Sequence, residues 1–306
     1  LGTLRRHFGT TLVFSFVSSM LMLMPALYML QIYDRVLMSR NVSTLVVLTA
    51  LVIGLYIFMA AIEALRARVL TRIGAAIDES TAARVFDAVF ENSLRQSGAN
   101  VVQSLNDLNH LRLVVSGPAT ISVLDAPWIP VFLWVIFSFD YTLGLLATAG
   151  ALVLLLLACI SDIASRPLLE SSQQLAAAAL TTSSNDMRNS DVVEALGMHR
   201  AIRNRWFGTH TRQLGMQLQA QDRLALLSGL SRFTRIALQS LVLGLGAWLV
   251  LHDDLSPGMM IAASIISGRA LAPVEGLVGN WRNLVSARLS YRRLDELLRS
   301  TPARST

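Results

Sequence analysis

TLVVLTALVIGLYIFMAAIEALRARVLTRIGAAIDESTAARVFDAVFENSL, residues Thr44 to Leu94, changes chemistry halfway along without a signal to change structure. Its first half, to Ile62, is a charge-free run of Leu, Val, Ile, Ala and aromatic residues, close to the roughly 20 residues a helix needs to cross a hydrocarbon core. Its second half, from Thr71, is rich in charge yet keeps apolar residues at Ile73, Ile77, Val85, Phe86, Val89 and Phe90, the spacing of an amphipathic helix. No proline interrupts it. One continuous helix over this stretch would be about 75 Å long at 1.5 Å per residue, so about half of it should stand clear of the membrane.

Working outward, the chain holds five more stretches of this apolar kind. The expected spans are 11–31, 44–63, 119–139, 142–162, 230–251 and 258–285. The first is not a signal peptide, because it is too long and lacks a small-residue cleavage site, while Arg5, Arg6 and His7 precede it as an inside anchor. The sixth is the weakest, interrupted by Arg269, Glu275 and Arg282. Hydrophobic residues are 53%, charged residues 15% and mean hydropathy +0.52, which removes the chain from the soluble class.

Every basic residue apart from histidine is an arginine; the chain has no lysine. Arginines are sparse in the short links, with two between Tyr33 and Ser43 and none in 138–142 or 252–258, the last of which carries Asp253 and Asp254. They crowd the long links: Glu63 to Gly117 holds Arg66, Arg68, Arg72, Arg84, Arg95 and Arg112, and Ser161 to Arg235 holds nine. Positive residues collect on the cytoplasmic side, which puts both termini and both long links inside and makes spans one and two, three and four, and five and six tight outer hairpins. The net charge of +6 is therefore topology and not a nucleic-acid surface.

Breakers mark where the inner helices turn. The segment Gln96 to Asn100 ends the first, and a helix restarts over Val101 to Arg112; its tip, roughly Ala99 to Asn106, is expected to be a short transverse helix carrying Ala99, Val101, Val102 and Leu105. Gly197 breaks the second, and Met198 to Trp206 is expected to be its counterpart, presenting Met198, Ile202, Arg203 and Trp206. The sum is an all-α polytopic membrane domain over 1–299, six transmembrane helices extending into long cytoplasmic stalks, with 300–306 as the start of a linker.

This arrangement resembles the transmembrane half of an ABC exporter of the type-1 fold. The segments YMLQIYDRVLMSRNVSTLVVLT (Tyr28 to Thr49), LDAPWIPVFLWVIF (Leu124 to Phe137), VVEALGMHRAIRNRW (Val192 to Trp206), SRFTRIALQSLVLGLGAWLV (Ser231 to Val250) and GRALAPVEGLVGNWRNLVSARLSYRRL (Gly268 to Leu294) are similar to the permease region of type I secretion exporters of the protease and lipase class. Ala126 departs from that pattern, where a larger apolar residue is expected. The resemblance implies a homodimer with the pathway between protomers, an ATPase domain that uses ATP and Mg, and coupling to it through the two transverse helices. It further implies an unfolded polypeptide cargo with a C-terminal signal, a periplasmic membrane-fusion adaptor, an outer-membrane channel of the TolC kind, and residence in the bacterial inner membrane among its lipids.

A nucleotide-binding loop GxxxxGK[ST] needs its lysine on the β/γ-phosphates, so this lysine-free chain is expected not to hydrolyse ATP itself. It starts at Leu1 and stops just after SYRRLDELL, where the resemblance implies an ATPase domain should begin; a peptidase domain ahead of it is not expected. His7, His110, His199, His210 and His252 have no metal-ligand spacing, and Cys159 has no partner, so neither catalytic nor metal residues are expected and Cys159 reads as a small packing residue. Gly244 and Gly246 read as close-packing positions, and Trp128 and Trp281 as interface anchors.

Three polar residues in the spans are candidates for the pathway: Arg269, Glu275 and Asp125. A central arginine costs about 2.5 to 3.5 kcal/mol on insertion scales, so Arg269 should face a wet pathway or pair with Glu275. Asp125, beside Pro127 and Pro130, is expected to position helices more than to touch cargo. An exporter of lipids or small amphiphiles on the same scaffold is the first alternative, and a non-transporting membrane anchor or receptor the second.

Overall fold

A computed structural model describes residues 2–95 and 101–301, and every regular element among them is a helix. Backbone polar groups in hydrocarbon must be satisfied within their own segment, which is why the apolar stretches take this form. Six helical stretches are long and apolar enough to cross a membrane: Gly9–Ser39, Val42–Asn92, Pro118–Phe139, Tyr141–Arg188, His199–Leu251 and Pro257–Gly279.

The first stretch is α1 (Gly2–Leu21) and α2 (Met24–Gln31), parted just before Pro25, followed by a π-helical turn over Ile32–Val36 and a last turn to Ser39. It therefore outruns the expected end at 31. Arg40, at φ 51° in the left-handed region, turns the chain into α3 (Val42–Arg95), the unbroken helix read from the opening sequence. Then come α4 (Val101–Val115), α5 (Pro118–Asp125), a 3-10 turn over Ala126–Trp128, and α6 (Ile129–Phe139). Asp140 alone joins α6 to α7 (Tyr141–Arg188), its Oδ1 accepting the Thr142 and Leu143 amides at 2.7 and 3.2 Å. The rest are α8 (Ser190–Ala195), α9 (His199–Leu251), α10 (Pro257–Gly279) and α11 (Trp281–Ser300).

The sixth span ends at Gly279, six residues before its expected limit of 285, because Gly279 and Asn280 form a helix stop and Trp281 opens a new helix. At the second tip the short element is Ser190–Ala195, ahead of Gly197 (φ 65°), whereas 199–206 opens the 53-residue α9 and no break follows Trp206. At the first tip α4 runs on past Asn106 without a break, and Ala99 lies outside the described residues.

The chain divides into two compact units. The first comprises 1–73, 117–159 and 227–279, and its core is Ile136, Leu143, Leu154, Val242, Ile266 and Leu271 with their neighbours from α6, α7, α9 and α10. Small residues set the spacing here: a Cβ on Gly246 would lie 2.8 Å from Met260 Cγ, whereas Gly244 faces open space. Asp34, in the π-helical turn, accepts from Ser256 Oγ at 2.6 Å and from the Gly258 amide at 2.8 Å, which clamps the first hairpin to the start of α10. Cys159 is exposed and not a packing residue. The second unit comprises 74–116, 160–226 and 280–306, with smaller cores around Val85, Val89, Leu108 and Leu294 and around Leu169, Ala220 and Val285.

Gly150 tests how tightly α7 meets α9, since a Cβ there would overlap the buried Leu238 side chain. Gly150→Ala should destabilise the protein in detergent by about 1–3 kcal/mol through overpacking. Adding Leu238→Ala should make the glycine substitution nearly neutral, and thermal unfolding of the four proteins of this double-mutant cycle checks it.

Candidate functional site

Five charged residues of the first unit bear on the pathway question: Arg66 and Asp125 form one pair, Arg235 and Glu275 a second, and Arg269 is an exposed cation. Arg66, near the membrane end of the α3 stalk, reaches Asp125 at the end of α5 with Nη1 2.7 Å from Oδ1, and their side chains are only 6% and 15% exposed. Ser15 of α1 donates to the same Asp125 oxygen and to the Leu124 carbonyl (3.2 Å), so three spans meet at one carboxylate. Beside it Phe16 and Trp128 pack with ring centroids 4.8 Å apart, so Trp128 is a packing residue in this unit.

Glu275 is paired with Arg235 of α9, which leaves out the pairing with Arg269 that was one of the two readings of that arginine. The reason is helical geometry. Residues 269 and 275 lie six apart on one helix, a rotation that turns their side chains to different faces, whereas partners on a helix need spacings of three or four. Arg269 is left exposed between the buried Gly268 and Ala270, with no acidic partner among the described residues.

In the second unit the tip residues occupy two places. Val101, Val102 and Leu105 fall in the first turns of α4, with Leu105 exposed. Met198 and Trp206 are exposed, and the Trp206 ring stacks on His210 at 4.8 Å between centroids. Ile202, Arg203 and Trp206 line one wall of an apolar cavity of about 740 Å³ whose other walls include Leu180, Met187 and Val193. Arg205 of α9 holds Asp186 of α7 at 3.0 Å along its edge. Trp281 donates from Nε1 to Asp162 at 3.2 Å, so it anchors α11 to α7.

The residue that sequence reading missed is Asp107, one position beyond the expected first tip. It is buried, and Arg293 of α11 grips both its oxygens, Nε to Oδ2 at 2.8 Å and Nη2 to Oδ1 at 2.6 Å, in the two-point geometry that makes such pairs strong. Ser290 adds a hydrogen bond of 2.8 Å. One helical turn further, burial holds the His110 imidazole below its ordinary value of 6.5, with Asp107 opposing that shift and Arg293 and Arg282 adding to it. The only sequence signal was an acid interrupting the apolar face of α4. Among the described residues no group of three or more His, Cys, Asp or Glu side chains is placed to hold a metal ion.

The family model described as ABC transporter transmembrane region matches residues 8–271. A type I secretion system ATP-binding protein, PrsD, from Rhizobium meliloti (strain 1021) is 36% identical over 95% of this chain and 50% of its own length. The toxin RTX-III translocation ATP-binding protein of Actinobacillus pleuropneumoniae is 28% identical over 97% of this chain and 42% of its own, and the leukotoxin translocation ATP-binding protein LktB of Mannheimia glucosida gives the same figures. The chain thus spans about half the length of the curated relatives it matches.

Removing one partner of a buried ion pair strands the other, at a cost of about 3–5 kcal/mol. Arg66→Ala should therefore lower stability by that order, and Asp125→Asn in the same chain should restore part of it, as read by thermal unfolding in detergent. No rescue in the double variant would mean that the pair does not join these helices.

Proposed function

We propose the function of this chain on one premise, that it belongs to the family of ABC transporter transmembrane regions: it forms the membrane half of an ATP-driven type I secretion exporter. The observation that carries this reading is the alignment of proteins named for type I secretion and toxin translocation along nearly the whole chain, across six apolar helices of which three run on for about 50 residues. Two copies would enclose the pathway, and its cargo would be an unfolded polypeptide with a C-terminal signal. An ATPase domain would supply the nucleotide chemistry with ATP and Mg, since these 306 residues hold no lysine for a phosphate loop. A periplasmic membrane-fusion adaptor and a TolC-like outer-membrane channel would continue the route. The arginine asymmetry supports the bacterial inner membrane with both termini cytoplasmic.

In this reading the stalk tips pass motion between the ATPase domain and the spans through Ala99, Val101, Val102 and Leu105 and through Met198, Ile202, Arg203 and Trp206. Exposed apolar side chains at Leu105, Met198 and Trp206 support it, because an aromatic buried on docking is a typical hot spot. Arg269 lines the pathway. A cation about halfway along α10 costs about 2.5–3.5 kcal/mol against lipid, and with Glu275 engaged by Arg235 it has water or cargo left to face. Asp125 and Glu275, each neutralised by an arginine, hold helices together and do not touch cargo.

Two outcomes test this. In the full-length protein, Trp206→Ala should lower cargo-stimulated ATPase activity about tenfold, a loss near 1.4 kcal/mol, with membrane expression unchanged; an unaltered rate would remove Trp206 from the coupling surface. Arg269→Ala should reduce export of the natural cargo while thermal stability holds. In a Cys159→Ala background, Arg269→Cys should react with a small water-soluble thiol reagent, as Thr142→Cys and Asp254→Cys should with an impermeant one added outside. A cysteine at 269 that resists the reagent would place that residue against lipid or protein, and retained secretion after deletion of the gene would refute the exporter reading itself.

A further inference from the structure

Between α4, α7 and α11 of the second unit lies a polar cavity of about 370 Å³ that nothing described so far uses. Its charge does not balance. Asp107 is the one carboxylate on its walls, and that group already accepts hydrogen bonds from Gln103, Ser290 and the two Arg293 nitrogens. Arg282, on the same wall as Arg293, has no acidic partner among the described residues. Across from it the Nδ1 of His110 is buried with no hydrogen-bond partner. A half-buried guanidinium without a counter-charge on a polar cavity wall, facing a buried ring nitrogen without a partner, favours an anionic occupant of the space between them.

We propose that this cavity binds a phosphate oxyanion, free or carried by a small organic molecule, with Arg282 as its principal ligand and His110 as a second. Asn106 of α4 and Asn283 of α11 line the same space and offer amide donors from two helices, which suits the three acceptor oxygens of a phosphate. The volume lies at the lower end of small-molecule sites, about 300–1,000 Å³, and leaves room for an organic group beyond the phosphate. The charges facing His110 are Asp107 from its own helix and Arg293 and Arg282 from α11; α7 contributes the uncharged amide of Gln173. An anion seated there adds negative charge beside the imidazole and favours its protonated form, so binding takes up a proton and strengthens as pH falls. The site lies in the stalk and is independent of the cargo and of the secretion reading.

The probes are sulfate, whose charge does not change near neutrality, and adenosine monophosphate, titrated calorimetrically into the purified full-length protein. Binding at any nucleotide site elsewhere in the full-length protein is separated out by comparing wild type with Arg282→Gln, since only the component lost in the variant belongs to this cavity. We expect that component to weaken at least tenfold in Arg282→Gln. In wild type it should tighten severalfold between about pH 8 and about pH 6, a response absent in His110→Gln. Tighter adenosine monophosphate than sulfate identifies an organic phosphate, and equal affinities a free one. Isotherms for both probes that are unchanged by Arg282→Gln overturn the proposal, and a pH response that persists in His110→Gln overturns the role given to His110.

Discussion

Arg66 and Asp125 could not occupy their positions without each other. Each is a full charge at the boundary of the membrane unit, shielded from water, and each alone would cost several kcal/mol. Together, with the Ser15 hydroxyl added, they tie α1, α3 and α5 at one point. Apolar helices in lipid have little to tell one register from the next, because a leucine is as comfortable against lipid tails as against another helix. A charge pair has no such freedom. A slip of one residue along α3 would carry the guanidinium about a quarter of a turn away from its carboxylate, so the pair sets the register of α3 against α1 and α5, while close approaches at Gly150 and Gly246 bring α7, α9 and α10 together.

The second unit uses the same device with different residues. Asp107, Arg293 and Ser290 repeat the aspartate, arginine and serine grouping of Asp125, Arg66 and Ser15, again between helices distant in sequence. There the helices are amphipathic, and their apolar contacts gather in small clusters such as that of Val85, Val89, Leu108 and Leu294. In both units the apolar stripe brings the helices together and a shielded ion pair selects how they meet.

What was legible in the sequence follows from the range of the interactions involved. Six spans and a continuous Val42–Arg95 helix depend on local composition and period, and both could be read directly. The early stop at Gly279 was also locally written, in the Gly–Asn pair, but the long apolar tail of the sixth span masked it. Partnerships were harder. Arg66 stood in a list of topology-setting arginines, and its bond to Asp125 spans 59 residues; Asp107 and Arg293 are 186 apart. Position offered one clue, since Arg66 lies just past the end of the expected second span and Asp125 near the start of the third. Of the two readings of Arg269, the pair with Glu275 fails on rotation about the helix axis, which residue spacing alone could have excluded.

The proline positions carry a mechanical consequence. α3 and α9, the two longest helices, contain none, while α7 holds Pro167 and α10 holds Pro273 within their helical runs. A proline withdraws the amide that would bond the carbonyl four residues earlier and weakens the rod there. The chain is thus built from two kinds of member, stiff struts and helices with a built-in hinge. A load applied to a strut arrives at its far end almost undiminished, whereas one applied to α7 or α10 is taken up as bending at a known residue. In α10 the carbonyl released by Pro273 is that of Arg269, so the hinge point of that helix and its exposed cation coincide.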